Sequence, residues 1–412
     1  MNIQKQLKSE DPSFLLDLRN QYGNAFWLDS YFFAFDPQYV NEVYVKQYPN
    51  FIKAGGWHKI RKGLGNGLLV NEEPEHLVHR RILNPAFHIK KIESHLYKMH
   101  KIINEEISAL SQKDSFDLST YFFDLSYKIL TNTIFDDEEL SKSKKLQDVF
   151  YSVMKKVGNG EENEPGSLDE DREYLYDFIS RVIKKRLDND ESHEDFLDLL
   201  IEASVSNNLS LKDITDEVLS MMLAGHETTA NTVIWAISNS YNNQSIVKKI
   251  KDESDIFVNK INKENILNIC KELNYSKNVI SESLRLYPPV WFSPRQALED
   301  CVIVNTKIPK DTKIIISSYV SHRDANYFED PNTFIPERWD GGLEESLPSG
   351  VYFPFHIGPR TCIGYRFGFL QAQITVLEFF NKIKVDLVDG FPKTLILATL
   401  RPQSKIIANI IK

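Results

Sequence analysis

The chain has 412 residues, 42% hydrophobic and 26% charged, enough apolar material for a sizeable core. Its formal net charge of −9 argues against a nucleic-acid binder, which shows a basic face, and no run of about 18 apolar residues offers a membrane span. The opening MNIQKQLKSEDPSFLLDL lacks an apolar signal core, so a cytoplasmic protein is expected; length alone suggests two domains or more.

In chain order, AFWLDSYFFAF reads as two short aromatic strands around Asp29-Ser30, a hairpin. Helical spacing dominates from about residue 75 to 155. The stretch 158–170, GNGEENEPGSLDE, is rich in Gly, Pro and acid and reads as a mobile surface loop between two helices. Helical patterns resume through DREYLYDFISRVIKKRL and DFLDLLIEAS. A long helix is expected from about Asp213 to Tyr241, with Ser210 and Asp213 in the Ser-x-x-Asp relation of a helix start. From 290 to 320 the pattern turns to short strands in CVIVN and TKIPKDTKIIISSYV, and 331–354 is Pro-rich and irregular. A helix is expected from Cys362 to about Phe380, followed by strands in LILATL and KIIANII. The fold class read from this order is mainly α (α+β). Its β-rich part lies at about 20–55 and 290–325 and in the C-terminal strands.

The cysteines are Cys270, Cys301 and Cys362, odd in number, widely spaced and without a CxxC pair, so neither a disulfide framework nor a zinc site is indicated. Cys270, in a helical pattern, and Cys301, at the start of a strand, read as small buried hydrophobes.

Cys362 stands in FHIGPRTCIG. With a helix starting just after it, its sulfur meets unpaired backbone N–H groups and the positive end of the dipole. Arg360 adds positive charge, and both effects favour thiolate. Gly358 and Gly364 allow a flat partner to approach the backbone, and Phe355 supplies an aromatic shield. A thiolate with one open face beside an arginine suits an iron porphyrin that carries carboxylates. The complete pattern Phe-x-x-Gly-x-Arg-x-Cys-x-Gly resembles the heme-binding loop of the cytochrome P450 superfamily.

Three further motifs carry that resemblance in order. In LSMMLAGHETTANTVIW, Gly225, Thr228, Thr232 and Ala236 fall at helical spacing and give a small-residue face for a planar cofactor. Gly225 in mid-helix costs about 1 kcal/mol relative to Ala, which calls for a packing or functional reason. A threonine here can bond the carbonyl one turn back and open the helix locally. By resemblance, Thr228 holds oxygen under activation and Glu227 helps deliver protons, while His226 carries no assigned chemistry. ESLRLYPP places Glu282 and Arg285 three residues apart on one helix face. The resemblance implies a buried network with Arg338 of PERW that holds the cysteine loop. EHLVHRRILNPAF resembles an early heme-contacting helix, with His76 and Arg80 spaced to reach one target. Arg295 and Arg360 complete the expected contacts to the heme carboxylates, with His79 and Arg81 as close rivals.

The resemblance covers nearly the whole chain and implies one cytochrome P450 domain, 1–412, with a long central helix and small sheets, which supersedes the estimate from length. It implies heme b, held by Cys362 as axial ligand, and a monooxygenase that oxidises a hydrophobic small molecule with dioxygen. The chain ends soon after the cysteine helix, so electrons are expected from a separate ferredoxin or flavodoxin with its reductase. The implied substrate pocket draws on Trp57, Leu64, Ala224, Val290, Trp291, Phe292, Leu397 and Ala398, a mostly apolar set. Two alternatives stand beside this: a peroxide-driven heme-thiolate peroxygenase, whose best-known relatives lack the acid–threonine pair, and a non-catalytic heme sensor.

Overall fold

The helix Leu211–Tyr241 is the axis of the computed structural model, which describes residues 11–159, 167–188, 193, 195–207, 209–388, 390–396 and 398–412. The sequence encodes its start: Ser210 Oγ accepts the Asp213 N–H, and the Asp213 carboxylate accepts the Ser210 N–H. Apolar or small residues lie on nearly every side of this helix, so it is buried all round. Hydroxyl and amide side chains caught there bond carbonyls one turn back: Thr215 to Leu211, Thr232 to Thr228, Asn239 to Trp235 and Ser240 to Ala236.

Around this axis pack the helices Leu118–Thr133, Leu168–Asp188, Asn274–Leu286 and Tyr365–Lys382. An outer helix, Ile89–Leu110, presents one apolar stripe of Ile92, Leu96, Met99, Ile103, Ile107 and Leu110 to the core. Each such side chain contributes about 1.5–3 kcal/mol on burial.

The expected aromatic hairpin is present as Ala25–Leu28 and Tyr31–Ala34, with Asp29 at a positive φ of 51° in the turn. It joins Lys313–Ile315, Arg295–Ala297 and Phe51–Lys53 in a five-stranded sheet whose only parallel pairing is Tyr31–Ala34 with Lys313–Ile315. The register sets Lys53 opposite Arg295. Two like charges directly across an antiparallel pair cost stability, so this placement asks for a compensating anion.

The architecture is mainly helical with small sheets, as expected, and three details differ. Ser318–Ser321, read as strand, is a helical turn capped by the Ser317 hydroxyl. Ser115–Asp117 is a short strand inside the region read as helical, paired with Ile407–Ile410. Cys301 is only half-buried, at a sheet edge, whereas Cys270 is buried and its thiol is pushed up to about 12 by that burial. Most of the acidic 158–170 stretch, and Leu397, lie outside the described residues; Lys144–Asn159 and Leu168–Asp188 are the helices on either side.

Candidate active site

The cysteine loop is held by its own backbone. The Cys362 N–H donates to Phe355 O at 2.8 Å, and Thr361 donates to Gly358 O from both its N–H and its hydroxyl. Gly358 has φ +74°, and a Cβ there would run into the Tyr44 carbonyl oxygen. Its glycine therefore serves packing inside the protein. At Gly364 the nearest atom to a Cβ is a Phe87 carbon at an ordinary 3.6 Å, so the chain itself does not demand glycine there. The following helix begins at Tyr365, with no side-chain cap on its N-terminus. Phe355 is half-buried, its ring 6.0 Å from that of Tyr365.

Cys362 is accessible to solvent. Desolvation by the protein around it pushes the thiol up, against the expectation of a lowered one; a Gly364 N–H bond and Arg80 oppose the shift without reversing it. The cation beside the sulfur is Arg80, whereas Arg360 turns its guanidinium to Asn71 O (2.8 Å) and the Glu72 carboxylate (2.7 Å). A coordinating metal cation deprotonates such a thiol outright.

The central helix, buried from 214 to 240, is open at three positions only: Ala224, Gly225 and Thr228. Gly368, one turn after Gly364, packs on this helix; a Cβ there would come 3.2 Å from Thr229 Oγ1. Thr228 Oγ1 donates to Ala224 O at 2.7 Å, the expected bond, but the helix stays continuous and is not locally opened. Gly225 leaves room for Leu130, whose Cδ1 would stand 2.7 Å from a Cβ, so its glycine is explained by helix packing. Thr232 and Ala236, expected on the cofactor face, are buried. Glu227 is buried and accepts a 2.5 Å hydrogen bond from Thr399, with Arg401 at 4.0 Å linking it toward the surface. His226 Nδ1 donates to Met222 O, and the ring is surrounded by Tyr127, Phe150 and Tyr151.

A cluster of cations gathers near the loop. Arg80 donates to Thr361 O at 2.6 Å. Arg295 is buried over the Tyr44 ring and meets His356 at 2.8 Å. Lys53, missed in the sequence, reaches Asn71 O beside Arg360. Burial first, then Arg360, holds Lys53 well below the usual range; burial and Arg360, Lys53 and Arg80 hold His76 at about 3, and burial and Arg295 depress His356. His76 faces Glu73, so within the chain it does not share a target with Arg80. His79 instead pairs with Glu217. Glu72 offsets part of this charge through Arg360 and Lys53, and the cations in excess of it suit a further anion. Together with an accessible thiol and a small-residue window on a buried helix, they suit an iron porphyrin carrying carboxylates.

Glu282 accepts two bonds from Arg285, one from Arg338 Nε, one from Trp339 Nε1 and one from the Ile335 N–H, all between 2.8 and 3.0 Å. Arg285 also donates to His322 O, and His322 Nε2 accepts the Phe353 N–H at 2.9 Å, two residues before Phe355. A chain of hydrogen bonds thus runs from Glu282 to the cysteine loop. His322 and Trp339 escaped the sequence reading.

The expected pocket residues have differing surroundings. Trp57 is half-buried with Lys53 over its ring, and Leu64 is buried in the main core. Trp291 packs with Leu15 and Phe33 and stacks on the half-buried Phe292, while Val290 is exposed. Ala224 and Ala398 are half-buried.

Comparison with known proteins completes the picture. Mouse "Cytochrome P450 4V2" is 29% identical over 75% of this chain, and the chain spans 66% of that relative's length. "Cyclooctat-9-en-7-ol 5-monooxygenase" of Streptomyces melanosporofaciens is 27% identical over 87% of this chain and 81% of its own. Among solved structures, a six-coordinated cytochrome P450 from Thermus thermophilus has TM-score 0.79 at 22% identity (97% of this chain, 98% of that one). The retinoic acid bound cyanobacterial CYP120A1 has TM-score 0.87 at 22% identity (97% and 94%). These structural likenesses carry the fold. The sequence model of the family described as Cytochrome P450 matches residues 2–409, and on that match the chain belongs to the cytochrome P450 family, whose members are heme-iron proteins.

Proposed function

We propose that this chain is a heme-thiolate monooxygenase that oxidises a hydrophobic small molecule with dioxygen and electrons from a separate ferredoxin- or flavodoxin-type donor. One observation carries the reading: a helix otherwise buried from 214 to 240 opens only at Ala224, Gly225 and Thr228, and its neighbour helix follows an accessible cysteine. Bound heme would supply the oxidising chemistry: with dioxygen, two electrons and two protons, one oxygen atom goes to the substrate and the other leaves as water.

The chain's own residues do the rest. The Cys362 sulfur would hold the heme iron as thiolate, its negative charge stabilised by the Gly364 N–H and Arg80. Lys53, Arg80, Arg295 and Arg360 supply charge for the porphyrin carboxylates. Thr228 donates to Ala224 O, which leaves its oxygen able to accept a further hydrogen bond. Glu227 holds a proton donor–acceptor position one residue away, backed by Thr399 and within 4.0 Å of the partly exposed Arg401. The acid–threonine pair favours this dioxygen route over a peroxide-driven one.

A hydrophobic substrate of the fatty-acid, terpenoid or polyketide kind agrees with the apolar surroundings of the window. One relative's name specifies cyclooctat-9-en-7-ol, and one structural neighbour holds retinoic acid. The test is electron consumption per product in Thr228→Ala. Coupling should fall while substrate-induced spectral shifts persist; unchanged coupling argues against the role of Thr228.

A further inference from the structure

Glu227 is held by side chains from two distant parts of the chain, and their hydrogen bonds run in one direction. Asn231, one turn along the central helix, donates from Nδ2 to Thr399 Oγ1 at 3.0 Å, and Thr399 donates to Glu227 Oε1 at 2.5 Å. All three residues are buried. A hydroxyl has a single proton. With the amide N–H aimed at its oxygen, Thr399 is left as the donor to Glu227. The Arg401 guanidinium, at 4.0 Å, faces the same Oε1. An oxygen engaged in this way has its lone pairs committed as acceptors, so a proton taken up by Glu227 belongs on Oε2.

The amide is kept at a cost. Asn231 has no exposure, and its Oδ1 finds no partner among the described residues. An unpaired buried acceptor destabilises the fold, which an apolar side chain of like shape would avoid. Packing therefore does not account for asparagine here, and neither does anchoring of the C-terminal hairpin. Thr399 immediately precedes the strand Leu400–Pro402, which pairs with Thr394–Ile396. That strand is fastened without Asn231: the fully buried Leu400 donates its N–H to Pro289 O at 2.9 Å and packs with Trp291.

We propose that Thr399 and Asn231 are positioning residues for Glu227, holding Oε1 as an acceptor and leaving Oε2 as the oxygen that takes up and gives off protons. The inference rests on the reading of Glu227 as the acid that serves the window at Thr228.

The test uses holoprotein, reduced and bound to carbon monoxide, and reads the C–O stretch in the infrared, a band sensitive to polar groups near the ligand. Glu227→Gln should shift this band. Thr399→Val, of the same shape without the hydroxyl, should shift or split it as the carboxylate takes more than one orientation, and Thr399→Ser should restore the wild-type band. Asn231→Leu frees the Thr399 hydroxyl and should act in the same direction by less, while melting no lower than wild type. Reoxidation of the reduced protein by dioxygen, followed in stopped flow in H2O and D2O, reads the proton. The slowing in D2O should be about twofold larger in Thr399→Val than in wild type. If Glu227→Gln shifts the band and neither Thr399→Val nor Asn231→Leu does, the positioning is overturned. A shifted band with an unchanged D2O effect overturns the assignment of the proton to Oε2. Asn231→Leu that melts lower with both readings unchanged makes the pair a structural tie and overturns the proposal. Should Thr399→Val not fold, Asn231→Leu decides by the same readings. If Glu227→Gln itself leaves the band in place, the reading of Glu227 fails and the inference with it.

Discussion

Replacing Glu282 with alanine removes one side chain and leaves four groups without their acceptor. Arg285 and Arg338 lose their carboxylate in a region where Glu282 and Arg285 have no exposure and the Arg338 side chain has 8%. Stranding a buried ionic partner costs about 3–5 kcal/mol. The Trp339 indole N–H and the Ile335 N–H, each left unpaired, add about 1 kcal/mol apiece. The sum of about 5–7 kcal/mol is a ceiling, because the donors share one carboxylate and their contributions are not independent. Against a total stability of about 5–15 kcal/mol, most of the margin is gone. The hydrogen-bond path through His322 and Phe353 then also loses its anchor, so the cysteine loop should loosen before the rest of the core. The expected result for Glu282→Ala is a fall in melting temperature on the order of 10 °C. Yield of folded, heme-loaded protein should fall in parallel. Glu282→Gln, which keeps the shape and one acceptor, should be intermediate. Thermal unfolding by circular dichroism, with heme content per protein, is the assay. Melting within about 2 °C of wild type, or normal heme loading with selective loss of turnover, would refute the reasoning.

Gly358→Ala forces a side chain into a φ of +74° and against the Tyr44 carbonyl, and should cost at least about 1–2 kcal/mol by chemical denaturation, while Gly364→Ala leaves that stability nearly unchanged. The His79–Glu217 pair gives a pH signature. Glu217, by its hydrogen bond first and its charge as well, together with Asp213 and Glu75, raises the imidazolium above its unfolded value, against partial desolvation. The contribution is then fully present below about pH 6.5 and lost as pH rises through the raised value. The melting-temperature gap between wild type and His79→Gln should be widest in acid and close toward alkaline pH; a gap that widens with pH would contradict the pairing.

The parts of the site that could be read in the sequence are local. The cysteine loop, Ser210 with Asp213, and Glu282 with Arg285 each lie within one or two turns of chain, where spacing alone fixes a shared face. The parts that could not be read join distant segments. Lys53 meets the arginines because strand register sets it opposite Arg295, and no local pattern announces that. His322 acts through Phe353, and Asn231 on Glu227 through Thr399, for the same reason. Gly225 read as a cofactor contact because Leu130, which fills its space, comes from another helix. The thiol of Cys362 shifted opposite to expectation because the dipole and the arginine are visible in sequence, whereas desolvation depends on the finished enclosure.

The central claim is that Cys362 binds heme iron as thiolate. The most direct measurement is the absorption spectrum of the purified protein, reduced and exposed to carbon monoxide, for wild type and Cys362→Ser. The account predicts a strongly red-shifted Soret band in wild type that is lost in the variant. A band at the shorter wavelength of histidine-ligated heme in freshly prepared wild type, or well-folded protein that takes up no heme, would contradict it.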